Sequence, residues 1–248
     1  MVKNKPVYAF EEADSKKRML LGGKGSGLSE MTRLKLPVPP GFTITTEVCN
    51  KYYDNNGKLP KDVMPAVMKN IAKMEKKTGK KWNSTKNPLL VSVRSGAAIS
   101  MPGMMDTILN LGLNEKTVEG FAEQTKNPRF SWDSYRRFIQ LFGKVVFGVN
   151  DEKFDHVLDD AKEKQGVTDD SKLSVESLKS IVSKYKKICE EHTKRKFPDT
   201  PNEQLVLSIE AVFKSWMGER AIVYREKNNI TKDIANGTAV NVVTMVFG

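Results

Sequence analysis

VSVRSGAAISMPGMMDTILNLGLN, residues Val91 to Asn114, is the stretch that sets the fold. With Leu89 and Leu90 it opens on a short apolar run, Leu89 to Val93, which predicts a buried strand ending at Arg94-Ser95-Gly96. An arginine at the exit of a buried strand, followed by small residues, presents its guanidinium at a sheet edge. That geometry suits a bidentate grip on phosphate, although an arginine capping backbone carbonyls fits the same pattern. Ser100 to Thr107 then predicts a loop with three methionines, which could pack on a flat base or fill gaps in a core. Asp106 and Thr107 offer an acceptor and a hydroxyl, and a short strand follows over Thr107 to Asn110.

Toward the N-terminus, VYAF (Val7 to Phe10) predicts a strand, and LPVPPGFTITT (Leu36 to Thr46) leads into another over Phe42 to Thr45. Between them lies GGKGSGL (Gly22 to Leu28), read as a loop before a short helix. Its glycines let backbone N–H groups approach a ligand, the helix N-terminus adds partial positive charge, and Lys24 is a mobile cation among them. Such a loop could cradle a polyphosphate. It is not a Walker A loop, because Gly25 follows Lys24, nor a dinucleotide fingerprint, because Leu28 stands where a third glycine belongs. Val63, Val67, Ile71 and Met74 recur at helical spacing, and the lysines of KMEKKTGKKW (Lys73 to Trp82) read as the end of an exposed helix.

Toward the C-terminus the texture becomes helical. Tyr135, Phe138, Ile139, Phe142, Val145 and Val146 form one apolar stripe, and Val175, Leu178, Ile181, Val182, Tyr185 and Ile188 form another. Beyond Pro198 and Pro201 a helix carries Leu205, Ile209, Val212, Phe213 and Trp216, and strand character returns over 238–247. The expected fold class is therefore α+β, a mixed α/β unit made of residues 1–111 and 198–248, interrupted by an all-helical insert over 112–197. The final run, GTAVNVVTMVFG (Gly237 to Gly248), ends without a turn or polar tail, so a boundary inside a longer protein is expected, and whether a strand near Val240 is left as a free edge stays open.

The composition is that of a soluble globular chain: 248 residues, 39% apolar and 29% charged. No segment has the apolar length of a membrane span or a secretory signal, so a cytoplasmic protein with no membrane partner is expected, an organelle signal at the C-terminus remaining open. The net charge is +11, and its excess lies in the first 110 residues, with 19 basic against 9 acidic side chains. Such a segment suggests a phosphorylated partner or a solvated lysine face. A nucleic-acid-binding module is the competing class, but no zinc knuckle, RRM signature or aromatic–basic interleaving is present. Cys49 and Cys189 are in no metal or disulfide pattern and read as packing residues or inert surface thiols, and His156 and His192 read as exposed helix positions.

Gly22 to Leu28, Val91 to Asn114 and Gly237 to Gly248, in this order and at these separations, resemble the N-terminal nucleotide-binding domain of the pyruvate, phosphate dikinase family. Val91 to Asn114 carries the resemblance most specifically. Phosphoenolpyruvate synthases share the lysine loop and the Val-Arg-Ser element but lack the MPGMMDT wording. Where Val243 stands the family usually has Gln.

The resemblance implies an ATP-grasp fold and a whole enzyme, with Mg²⁺, that interconverts ATP, phosphate and pyruvate with AMP, diphosphate and phosphoenolpyruvate through a carrier histidine on a separate domain. It implies that Lys24 and Arg94 bind the ATP phosphates. Gly23, Gly25, Ser95, Met105, Asp106 and Thr107 would lie near the nucleotide, and Val240, Val242, Thr244 and Met245 beside the adenine. The Mg²⁺ carboxylates and the carrier histidine are expected beyond residue 248, no catalytic residue or metal ligand within the chain, a homo-oligomer for the full-length enzyme, and no dikinase activity for this chain alone. A phosphoenolpyruvate synthase-type dikinase and a non-catalytic nucleotide- or nucleic-acid-binding module are the alternatives.

Overall fold

The computed structural model describes residues 4–247. In chain order its elements are β1 (Val7–Ala9), α1 (Arg18–Arg33), β2 (Gly41–Ile44), α2 (Thr46–Asp54), α3 (Val63–Thr78), β3 (Val91–Ala97), β4 (Thr107–Leu111), α4 (Glu115–Thr125), α5 (Pro128–Phe147), α6 (Asp151–Gln165), α7 (Val175–Thr193), α8 (Pro201–Ser215), α9 (Glu219–Lys227) and β5 (Thr238–Thr244). The protein is of mixed α+β class. It divides into two units: residues 1–80, 91–107 and 206–248 form the first, and residues 81–90 and 108–205 the second.

In the first unit the strands run β1-β2-β5-β3, antiparallel throughout. β5 is thus an interior strand, paired with β2 from Gly41↔Val243 to Ile44↔Val240 and with β3 from Val91↔Thr244 to Ala97↔Thr238. Both edges of β5 near Val240 are therefore paired, which answers the free edge left open by the sequence. All seven residues of β5 are buried, because two strands cover its edges and α1 and α2 pack on it. β3 also runs further than its apolar start suggested. The ladder with β5 carries it through Arg94, Ser95 and Gly96 to Ala97, so Arg94 rises from the middle of a strand rather than its exit.

Side chains alternate across the sheet. Thr43, Asn241 and Arg94 share one face by register, while Phe42, Val242 and Val93 share the other and are fully buried. α1 lies on β2, β3 and β5, α2 on β5, and α3 on β1 and β2. The predicted stripe of α3, Val63, Val67, Ile71 and Met74, is buried. The helix stops at Gly79, which takes a left-handed conformation. Lys73 and Lys77 beyond the stripe pair with Glu12 and Glu11, so part of the basic excess is a paired helix surface.

The second unit is built on α4 to α7. Asn114 caps α4 in a reciprocal box with Thr117, Asn127 caps α5 just before Pro128, and Ser174 caps α7. α5 and α7 face each other through the two predicted stripes. Tyr135, Phe138, Ile139 and Phe142 meet Leu178, Ile181, Val182 and Tyr185, all buried. Residues 81–90, read from sequence with the first unit, pack in this one. Trp82 Nε1 donates to Asn202 Oδ1 at 2.7 Å, and Asn114 Nδ2 donates to Asn83 Oδ1 at 3.3 Å.

Candidate functional site

The glycine-rich stretch is not a loop. α1 breaks at one residue only, Gly22, whose φ of 70° and ψ of 165° are open to glycine and strained for other residues. The helix restarts at Gly23 and continues to Arg33, so Lys24 and Gly25 occupy its first turn. Glycine disfavours a helix interior by about 1 kcal/mol relative to alanine. Here close packing overrides that preference. A Cβ on Gly22 would lie 1.7 Å from the Gly96 carbonyl oxygen, and one on Gly25 would lie 2.7 Å from Thr43 Oγ1 and 2.9 Å from Asn241 Oδ1. Gly96 answers from the sheet, where a Cβ would lie 2.6 Å from Asn241 Nδ2. The glycines let α1 sink onto β3 and β5, and this sets Lys24 above the end of β3.

Lys24 Nζ donates to the Ser95 carbonyl oxygen at 2.7 Å. Desolvation by the surrounding atoms, and next the charge of Arg94, hold the ammonium below the usual lysine range. Arg94 is the one exposed residue of β3. Among the described residues neither cation forms an ion pair with a carboxylate. Two like charges close enough to perturb each other, beside a helix N-terminus with its own partial positive charge, make a field that an anion relieves.

A cavity of about 470 Å³ opens here, lined by Arg18, Gly23, Lys24, residues 95–97 and 99–103, Met105 and Thr107. Of the residues expected near a nucleotide, Gly23, Lys24, Ser95, Met105 and Thr107 are brought together in its wall. Gly25 is packed beneath it on Thr43 and Asn241. Arg94 stands near Lys24 but outside the lining, and Asp106 turns to Arg220, whose Nη2 is 3.5 Å from its Oδ1. Val240, Val242 and Thr244 are not brought to the cavity. They are buried in β5, with a strand on either side, and the Thr244 hydroxyl donates to the Pro40 carbonyl at 2.9 Å. Met245 follows the end of the strand. Of the methionines in the loop, Met101, buried at 8% exposure, and Met105 both line the cavity.

Sequence reasoning passed over Arg18. It lines the cavity, and its Nε donates to the Ala98 carbonyl at 2.8 Å. Its only sequence signal is its place four residues before Gly22. The cavity lining holds cations and no carboxylate, and no cluster of three or more metal-binding side chains occurs among the described residues. The two histidines lie exposed on α6 and α7, His192 Nε2 within 3.0 Å of the Phe147 carbonyl. No helix among the described residues is long and apolar enough to cross a membrane.

The family model described as pyruvate phosphate dikinase, AMP/ATP-binding domain, matches residues 18–59 and 56–248. Pyruvate, phosphate dikinase of Entamoeba histolytica is 53% identical over 242 residues, 98% of this chain and 27% of that protein. The proteins of the same name from Clostridium symbiosum and Giardia intestinalis are 51% and 48% identical, each over 98% of this chain and 28% of their own length. The chain thus spans little more than a quarter of the relatives it matches. By the extent of the family match and the α+β architecture that carries it, this chain belongs to the pyruvate phosphate dikinase AMP/ATP-binding domain family, whose fold is ATP-grasp-like.

Proposed function

We propose that this chain is the ATP-holding part of a dikinase that interconverts ATP, phosphate and pyruvate with AMP, diphosphate and phosphoenolpyruvate. The observation that carries the reading is the nearness of Lys24 and Arg94, two cations that form no ion pair with a carboxylate among the described residues, at a helix that restarts at Gly23. Lys24 binds the triphosphate as a point charge held in place by the Ser95 carbonyl, and Arg94 supplies a planar fork from the adjoining strand. Together they offset the charge that builds on the phosphoryl oxygens as a phosphoryl group leaves. The cavity wall formed by Met105 and Thr107 contributes an apolar surface and a hydroxyl beside the nucleotide.

In this reading the phosphoryl acceptor is a carrier histidine outside the chain, since His156 and His192 belong to exposed helix surface of the second unit. The residues of the cavity do not fit a Mg²⁺ site, because its lining holds no carboxylate, and no step here runs through the metal. The whole enzyme also takes phosphate, acts as a homo-oligomer, and shows its activity only when the other domains are joined to this one. Calorimetric titration tests the proposal. ATP binds the wild-type chain, and the K24A/R94A double variant loses that binding while its circular dichroism and cooperative melt stay intact. Equal ATP binding by the double variant would overturn the assignment. Formation of AMP and diphosphate from ATP, phosphate and pyruvate by the purified chain would overturn the requirement for further domains.

A further inference from the structure

We infer that Arg18 is a third phosphoryl-binding cation of this cleft, an inference that rests on the reading of Lys24 and Arg94 as phosphate ligands. Arg94 does not line the cavity around Lys24; Arg18 does. Its guanidinium is fixed at one corner by the bond from Nε to the Ala98 carbonyl at 2.8 Å. Both terminal nitrogens are left without an acceptor among the described residues, in the fork that matches two oxygens of a phosphoryl group. Because one corner is already held, little further ordering is required when a ligand arrives.

The surroundings leave the charge of Arg18 available. No carboxylate lines the cavity it shares with Lys24. On its other side lies a second cavity of about 690 Å³, whose wall includes Arg18 and Gly23 and two acids, Asp14 and Glu30. Both acids are engaged elsewhere. Glu30 accepts from Arg33 and from the Ser15 hydroxyl, and Asp14 accepts from the Lys16 backbone N–H. Arg18 therefore lines two hollows, and among the described residues no carboxylate bonds its terminal nitrogens. Gly23 keeps it there, since a Cβ at that position would lie 3.2 Å from Nη2. The ligand chemistry is a tetrahedral phosphoryl oxyanion, from the terminal phosphate of a triphosphate chain or from free inorganic phosphate.

Titration of tripolyphosphate and, separately, inorganic phosphate into wild type, R18K, R18Q and K24M tests the inference. Arg18→Gln weakens tripolyphosphate, inorganic phosphate or both by about 10- to 100-fold, the range for a hydrogen bond to a charged group. Arg18→Lys, which keeps the charge and loses the fork, retains affinity between wild type and R18Q. Loss confined to inorganic phosphate would identify the free ion as the ligand, and loss confined to tripolyphosphate the nucleotide. R18K and R18Q weakened equally would show that only the clamp on Ala98 matters and would overturn the inference. R18Q binding both anions as wild type does, with K24M impaired, would overturn it and leave the Lys24 assignment standing. Wild type and K24M indistinguishable, with neither anion bound, would remove both. Should R18Q fail to melt cooperatively, G23A serves in its place. It keeps Arg18 and favours the helix but crowds Nη2, so it too weakens the anion by several-fold; wild-type affinity in G23A would overturn the inference.

Discussion

Lys24 is a cation that the fold tolerates rather than favours. Its folded pKa is lowered by desolvation and then by Arg94, so near that pKa the folded chain binds fewer protons than the unfolded one. Its contribution to stability therefore rises with pH through the window from the lowered folded value to the ordinary lysine value, and at neutral pH the charge opposes folding. Solvent reaching the side chain tempers the size of the effect but not its sign. Lys24→Met is expected to raise the melting temperature of the ligand-free protein while weakening ATP by about 10- to 100-fold, measured by calorimetry and titration on one preparation. The same logic predicts that ATP affinity, held at fixed ionic strength, falls as pH rises through the lowered Lys24 value. A flat profile across the alkaline range would remove Lys24 from the phosphate site. The two cysteines mark the opposite case. Burial pushes the Cys49 and Cys189 thiols up to about 12, so neither is expected to react with a thiol reagent in the folded protein, and both react in denaturant.

At the scale of elements, caps and close contacts decide where the chain turns. Asn114 accepts from the Lys116 and Thr117 amides and donates to the Asp199 carbonyl at 2.8 Å. Asn114→Ala is expected to cost about 1–2 kcal/mol in denaturant unfolding, because it removes a cap and a buried bridge together. The helices and their apolar faces were legible in the sequence, since a stripe such as Tyr135, Phe138, Ile139 and Phe142 states its period directly. So was the start of β3, from Leu89 to Val93. Its end was not, because Arg94-Ser95-Gly96 reads as a strand exit unless the partner strand is known, and that partner lies some 145 residues away in sequence. The helix at Gly23 to Leu28 was hidden for the same reason. Glycines at 23, 25 and 27 argue for a loop by propensity, and only the packing of Gly25 on Thr43 and Asn241 shows why they are helical. Lys24 and Arg94, proposed above as phosphate ligands, were named from sequence through the family resemblance; Arg18 was not, because nothing local distinguishes it from Lys16 and Lys17 beside it.

For the molecule as a whole, the site belongs to the first unit, built from three separated stretches of chain. The second unit has its own aromatic and aliphatic core. Phe138, fully buried and in ring contact with Tyr135, Phe142 and Phe197, is expected to cost about 3–5 kcal/mol on truncation to alanine, read in the unfolding of that unit's helices by circular dichroism.

The interior position of β5 also bears on how the protein is made. β2 leaves the ribosome well before β5, for the strand that covers its second edge follows roughly 190 residues later, which at ~5–20 residues per second is a wait of ~10–40 s. During that time Gly41 to Ile44 presents an unpaired row of backbone groups, the kind of template that recruits chaperones or neighbouring nascent chains. Synthesis of β5 then closes the sheet from within. Chains arrested before Thr238 should be cut readily by protease around β2, and chains arrested with Thr244 clear of the exit tunnel should resist. Translation speed through the helical stretch between them thus sets how long the unfinished sheet is vulnerable.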